Sequence, residues 1–373
     1  MPKGLVSVFT QAGTPFDLRE YPTPEVEAGG ILIKNTGAMI CGSELHGWRV
    51  EGDRKPVANP KQRVLGHEFT GVVHSLGEGV SFDSLRRPLK EGDRVAFPFI
   101  FPCNRCYHCV RGEHHACQHR FRRNMAGLEA YPYCDGGMAQ YFYLQPGHYV
   151  YKVPDELPDQ AIPPVNCALA QVLFGMERAR VHFGDTVVIQ GAGGLGVYAT
   201  AVARDMGASQ VIVIDGQPGR LEMARKCGAT STISMREFPT AESRVARVME
   251  LTSGIGADVV VEVVGVAAAT IEGIDMVRQN GKYIDIGNIV PGEISMPASK
   301  VISKQLKWFG TVHYNPWIIE AALQFLVRTK DKYPLANIVS HSFPLEQINE
   351  AFEFADWHGK EQGTVAQRVM LVP

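Results

Sequence analysis

Four of the chain's eight cysteines crowd into one stretch, PCNRCYHCVRGEHHACQ, where Cys103, Cys106, Cys109 and Cys117 follow a C-x2-C-x2-C-x7-C spacing. Thiolates this close can fill a tetrahedral shell at about 2.3 Å per bond and leave no position for water, the chemistry of a structural zinc site. An iron–sulfur cluster takes the same ligands, so cysteine alone does not choose the metal. His108, His114, His115 and His119 lie close by, but a complete cysteine set needs no further ligand and they read as surface residues. Cys41 in MICGSELHGW, Cys167 in NCALA, and His67 and Glu68 in LGHEF are the other donors of interest. No two of them have the spacing of a helix-borne metal motif, and each taken singly reads as packing.

A second stretch that could do chemistry is VVIQGAGGLGVYATAVARDMGASQVIVID. Gly191, Gly193 and Gly196 take the G-x-G-x-x-G spacing, with Gly194 and Leu195 completing the loop. The pattern follows a strand-like run, opens a helix and has Asp215 roughly twenty residues on, the context a dinucleotide site requires. Gly191 permits the tight turn, Gly193 lets the backbone approach a pyrophosphate, and Gly196 lets the helix pack close to the strand. The helix N-terminus then faces the phosphates with unpaired N–H groups. Asp215 is placed to bond both hydroxyls of the adenosine ribose and to repel a 2′-phosphate, which favours NAD over NADP. Arg220, nearby, could hold a 2′-phosphate; in the first turn of the next helix it also reads as a solvated position.

The elements that must position these residues change character along the chain. The first third is rich in short strands and loops: Ile31-Leu32-Ile33, Gly71-Val72-Val73 and the turn-to-strand EGDRVAF are punctuated by Gly, Pro and Asp. Long polar connections run over residues 51–63 and 101–131. After Pro163 and Pro164 a helix is expected over 168–179, then a β–α alternation. Its strands are expected at 186–190, 210–214, 258–264 and 282–286, and its helices at 195–206, 219–227 and 270–277. Continuous runs such as VIVI and DVVVEVV suit strands covered on both faces, hence a parallel sheet between helices. The alternation fades after Lys307, with helical segments over 316–328 and 345–354 and a last strand over 367–372 returning to the first domain. The turn SFDSLRRPLK is assigned to the surface.

A chain of 373 residues exceeds one ordinary core and implies two domains. A net charge of -2 excludes the polyanion-binding character of a nucleic-acid partner. No apolar run approaches the roughly 18 to 20 residues that span a bilayer, and MPKGLVSVFTQAG has no apolar signal core. Clustered cysteines in a long chain point to metal rather than disulfides. The expected location is the cytoplasm, with no membrane partner.

The pieces CGSELH, GHEFTG, EGDRV, the four-cysteine lobe, GGMAQY, NCALA and GAGGLG together resemble the zinc-containing medium-chain dehydrogenase/reductase family, that of alcohol, sorbitol and threonine dehydrogenases. They stand in family order and cover nearly the whole chain. The resemblance implies an α/β protein of two domains. Residues 1–165 and 314–373 would form a GroES-like, β-rich catalytic domain with the metal lobe at about 101–120. Residues 166–313 would form a Rossmann domain with a doubly wound parallel sheet, the active site lying in the cleft between the two.

By the same resemblance, Cys41, His67 and Cys167 match the ligands of a catalytic zinc, a Cys2His shell with an open fourth position. Glu68 matches an acid beside that metal. Ser43 matches the hydroxyl that bonds the substrate alcohol, and His46 the outer end of a proton relay, a task suited to imidazole. Glu44 stands where many relatives have Asp and supports the site from behind. Trp48, Phe99, Met125 and Tyr143 lie near elements that line the pocket in relatives, though each also reads as plain core. Arg120, Arg122 and Arg123 could meet an acidic substrate or form a solvated face.

The implied activity is reversible hydride transfer between NAD and an alcohol (secondary, cyclic or a polyol), giving a ketone or aldehyde, with two zinc ions per chain. A homodimer or homotetramer is expected. A zinc-free enoyl or quinone reductase is disfavoured by the cysteine lobe and the Cys41, His67 and Cys167 set. A non-catalytic NAD-binding member of the fold is the alternative from another class.

Overall fold

The computed structural model describes residues 3–49, 61–120, 128, 131–133, 136–289, 292–356 and 368–373. The chain divides into two compact units: Met1–Cys167 with Asn315–Arg328 and Ala336–Pro373, and Ala168–Tyr314 with Thr329–Leu335. Asn166 and Cys167 lie in the first unit and residues 329–335 in the second, whereas the sequence placed the breaks at 166 and 314.

In the first unit the short apolar runs become strands: β1 (Lys3–Val8), β2 (Asp17–Pro22), β3 (Ile31–Met39), β4 (Glu68–Leu76), β5 (Arg94–Ala96), β6 (Tyr141–Leu144) and β7 (Tyr151–Lys152). The end of the chain adds β14 (Val339–Pro344) and β15 (Arg368–Val372). β1 and β2 pair antiparallel, and the main sheet runs β14-β15-β3-β4-β5-β7 with β6 also on β3. Met39 pairs with Glu68 on one side and Met370 on the other, so β15 and β4 flank β3 at the level of the candidate ligands. β14 and β15 are parallel and are joined through helix α10 (Ile348–Ala355). The rings of Phe69, Phe97 and Phe142 meet in the core at 4.8–5.6 Å between centroids. Three other helices belong here: α1 (Gly42–Trp48), α2 (Tyr107–Val110) and α9 (Ile318–Thr329), all but the last residue of α9 falling in this unit. The turn SFDSLRRPLK lies at the surface as expected, with most of its side chains exposed, while Asp83 and Leu89 point inward and are buried.

The second unit opens with α3 (Ala168–Arg178) and then alternates: β8 (Thr186–Gln190), α4 (Gly194–Asp205), β9 (Gln210–Asp215), α5 (Pro218–Lys226), β10 (Ser231–Ser234) and α6 (Ala241–Leu251). β11 (Ala257–Glu262), α7 (Ala267–Met276), β12 (Val277–Asp285), α8 (Ala298–Lys304) and β13 (Lys307–Gly310) follow. All pairs are parallel and the order is β10-β9-β8-β11-β12-β13. This is the doubly wound order with its reversal between β8 and β11. Val187, Val188, Ile189, Val211, Ile212 and Val213 are fully buried, as strands covered on both faces require.

Candidate metal centres and dinucleotide loop

Helix α1 is organised around its own cap. Cys41 is the N-cap in an extended conformation, and Glu44, three residues on, turns its carboxylate back onto it. Glu44 Oε2 accepts the Cys41 N–H at 2.9 Å, while Oε1 accepts the Gly66 N–H at 2.8 Å and lies 3.0 Å from His67 Nδ1. One carboxylate therefore fixes the backbone of Cys41 and the ring of His67, leaving Nε2 as the nitrogen for a metal. Gly66 makes the approach possible: its φ is +103°, and a Cβ there would stand 2.5 Å from Met138 N.

Glu68 opens β4 with 0% exposure. Arg368 of β15 donates to its Oε2 at 2.5 Å, while its Oε1 is buried with no hydrogen-bond partner among the described residues. Cys167 follows a 3-10 turn, Pro163–Asn166, whose prolines preset the backbone. Asn166 Nδ2 donates to the Phe69 carbonyl at 2.8 Å and fastens that turn to β4. The ligand atoms of Cys41, His67, Glu68 and Cys167 consequently all lie within 4.8 Å of one another.

The charges here call for a cation. The Cys167 thiol bonds to the Cys41 sulfur and, with His67 beside it, holds Cys41 well below the ordinary thiol range despite burial. Burial, and its role as donor to Cys41, push Cys167 well up. Burial works against charge on the His67 ring, but Glu44 and Cys41 outweigh it and raise His67 well above its usual value. Burial pushes Glu68 to about 8 against the pull of Arg368. Two sulfurs, an imidazole and a carboxylate with an orphaned oxygen fit zinc, which would take the place of these protons.

Ser43 and His46 lie three residues apart on α1, both half-buried, a spacing that places them on one face. The Phe99 ring stands 5.2 Å from that of His67. Trp48 packs on Phe352 at 5.6 Å, and Tyr143 is buried in the core, so these two are core rather than pocket. Arg120 donates to the Cys117 carbonyl at 2.9 Å; Arg122, Arg123 and Met125 lie outside the described residues.

In the cysteine lobe, Cys106 stands 3.6 Å from Cys109 and 3.8 Å from Cys117, and Cys103 stands 3.6 Å from Cys117, sulfur to sulfur. Four sulfurs bonded at 2.3 Å to one tetrahedral ion lie about 3.8 Å apart. The spacing is that of a single ion, where a multi-iron cluster would spread the four sulfurs over two or four irons and hold at least some of them farther apart. Backbone N–H donation, that of Cys109 foremost, brings Cys106 down to about 6, and burial pushes Cys109 up to about 12. His119 is exposed as expected, but His115 is half-buried and bonded to Asn315, whose Nδ2 also donates to the Gly112 carbonyl. Asn315 thus anchors the lobe, a role with no mark in the sequence.

In the second unit Gly191 has φ +96°, and a Cβ on Gly196 would collide with the Gly191 carbonyl. Gly193 caps α4, whose first turn holds Gly194, Leu195 and Gly196, and a Cβ on Gly193 would meet nothing within 4 Å. Tight turn, close packing and open approach are the three glycine roles of a phosphate loop. Asp215 ends β9; its Oδ2 accepts the Ala192 N–H and its Oδ1 the Gln217 N–H, each at 2.8 Å. The acid that would read the ribose therefore also holds the glycine loop. Arg220 sits in the first turn of α5.

Residues 27–155 match the alcohol dehydrogenase GroES-like domain, and residues 194–328 match the zinc-binding dehydrogenase domain. The 5-exo-hydroxycamphor dehydrogenase of Pseudomonas putida is 33% identical over 337 residues, covering 90% of this chain and 91% of its own. The erythritol/L-threitol dehydrogenase of Mycolicibacterium smegmatis is 30% identical, covering 100% of this chain and 99% of its own. The chain belongs to the zinc-containing medium-chain dehydrogenase/reductase family. Among solved structures of similar fold, an alcohol dehydrogenase of Thermotoga maritima superposes with a TM-score of 0.88 at 29% identity, over 100% of both chains. As a zinc-type medium-chain dehydrogenase the chain is an oxidoreductase that works with zinc and a nicotinamide dinucleotide. The zinc-free and non-catalytic readings are not favoured. Among the described residues no helix is long and apolar enough to cross a membrane.

Proposed function

We propose that the chain oxidises a secondary alcohol, borne by a polyol or a cyclic skeleton, with NAD, and runs the reverse reduction. The observation that carries this reading is the convergence of Cys41, His67, Glu68 and Cys167 on one buried point. Cys41, His67 and Cys167 would hold the catalytic zinc with Glu68 as an available fourth donor, and Cys103, Cys106, Cys109 and Cys117 the structural one. Bound there, zinc supplies Lewis acidity toward the substrate oxygen, and the dinucleotide supplies the hydride acceptor. Ser43 takes the hydrogen bond of the substrate hydroxyl, and His46, one helical turn on, exchanges the proton with solvent. Gly191, Gly193, Gly194, Leu195 and Gly196 would cradle the pyrophosphate, and Asp215 would select NAD, with Arg220 in the first turn of the following helix α5 as a further cofactor-binding candidate.

The substrate class rests on the relatives, which are named for hydroxycamphor, erythritol/L-threitol and sorbitol. A cytoplasmic homodimer or homotetramer completes the reading. It is supported by described cysteines that gather as candidate metal ligands rather than pair as disulfides, and by β13, which ends its sheet with Trp308 partly exposed.

The test is zinc content per chain beside NAD and NADP reduction over a panel of tetritols, pentitols, hexitols and bicyclic secondary alcohols. Two zincs and NAD-linked turnover are expected, with Cys41→Ser or His67→Ala abolishing turnover while NADH binding persists. One zinc without turnover would leave the cysteine lobe standing and defeat the catalytic assignment. A clear NADP preference would defeat the role of Asp215.

A further inference from the structure

Glu262 is a carboxylate with 0% exposure that the proposed chemistry does not use. It ends β11, in register with Gln190 of β8 on one side and Asp285 of β12 on the other. Gln190 directly precedes the glycine loop, and β8 and β11 are the strands between which the sheet order reverses. Ligands of doubly wound sheets lie at that reversal, outside the carboxyl ends of the strands.

The two oxygens of Glu262 are spent on backbone. Oε1 accepts the N–H groups of Val264 at 2.6 Å and Gly265 at 2.7 Å, and Oε2 accepts that of Gly287 at 3.1 Å. Gly265 has φ +79°, and a Cβ on Gly287 would lie 2.6 Å from Gly265 N and 2.7 Å from Glu262 Oε2. The loops leaving β11 and β12 therefore close on this carboxylate without slack. Burying a carboxylate is unfavourable unless hydrogen bonds compensate it, and here those bonds fix two separate loops.

We propose that Glu262 is a positioning residue for the nicotinamide half of the dinucleotide, acting through the loops at 263–265 and 287–288. Asp215 and the glycine loop place the adenosine half over β8 and β9, so the other half crosses to the β11–β12 side. Glu262 holds the floor on that side and touches no cofactor atom itself. The inference rests on reading residues 191–196 as the pyrophosphate loop.

The experiment titrates the zinc-loaded protein with NADH, by fluorescence, and with ADP-ribose, by calorimetry. ADP-ribose lacks the nicotinamide and reports the adenosine half alone. Glu262→Gln keeps the volume and an acceptor toward Val264 and Gly265, but turns an N–H2 toward the Gly287 N–H. It is expected to weaken NADH about tenfold, with a matching rise in KM for NAD, while ADP-ribose stays within about twofold. Gly287→Ala, pressing on the same contact from the other side, is expected to repeat the pattern and decides the matter if Glu262→Gln does not fold. Equal weakening of both ligands, or no weakening of NADH, would overturn the role of Glu262. Failure of the wild-type chain to bind ADP-ribose would instead overturn the reading of the glycine loop on which it rests.

Discussion

Glu44 shows what a single residue contributes that spacing does not reveal. As the third residue of α1 it is legible as a helix-capping acid, and the family resemblance places it behind the metal. Its bonds to Cys41 N–H, Gly66 N–H and His67 Nδ1 make it the brace of two candidate ligands at once. Glu44→Gln can supply one acceptor but not both, so zinc affinity and kcat/KM are expected to fall about 10- to 100-fold. Unchanged zinc content in the variant would show that the bonds are incidental. Arg368 was not legible, because its partner Glu68 lies 300 positions away and only the pairing of β15 and β4 with β3 brings them together. The protons at this centre also set a pH dependence. His67 is raised and Glu68 is held up to about 8, so without metal both carry protons that zinc must displace. Acidification restores the competitor, and zinc retained against a chelator is expected to be higher at pH 8.5 than at pH 6. Metal analysis after dialysis at the two pH values checks the sign.

At the scale of elements, the parallel strands were legible wherever a continuous apolar run is buried on both faces, as in β8, β9 and β11. β10, α6, α8, β13 and β14 were not, because they are short or mostly polar and their burial depends on neighbours. β11 was expected to reach Val264 but stops at Glu262. The N–H groups of Val264 and Gly265 turn onto the Glu262 carboxylate, and the positive φ of Gly265 ends the extended run. The turn at 81–90 is a surface turn as expected, but the buried Asp83 that holds it together left no mark in the sequence. Asp83 accepts the N–H groups of Leu85, Arg87 and Lys152 and the Arg87 guanidinium, which also grips Glu320 of α9. Burial opposes the charge of Asp83, but those donors outweigh it and lower its pKa. A lowered carboxylate contributes stability that is present above its unfolded pKa and lost as pH falls through the folded value. Asp83→Asn offers one carbonyl where four donors converge, and is expected to cost on the order of 3 kcal/mol at neutral pH. In urea titrations the gap between variant and wild type should narrow below about pH 4. A gap that stays constant on acidification would mean the charge contributes nothing.

For the whole molecule, the division into two units was legible from the change of texture near residue 161, since a β–α alternation and a run of short strands bury apolar surface in different ways. The number of copies was not, because association depends on which edges are left open after folding. The second sheet ends at β13, and Trp308 on it, Val312 just after it and Ile302 on α8 are all exposed, Ile302 at 78%. An edge strand with apolar neighbours offers a template for pairing with another chain, which charge or a covering segment can block. Lys307 is the charge at its start, too little to guard four residues of open ladder. Association through this edge would join two sheets into one and bury those side chains, which a lone chain would leave in water. Sedimentation of the purified protein is expected to give a dimer or tetramer, and Val312→Lys with Ile302→Lys to shift it toward the single chain. Ile302 lies outside the ladder and apart in sequence from the glycine loop and from the loops at 263–265 and 287–288, so NADH affinity should survive in Ile302→Lys alone. A wild-type chain that sediments alone, or a double variant that associates as before, would remove this edge as the interface.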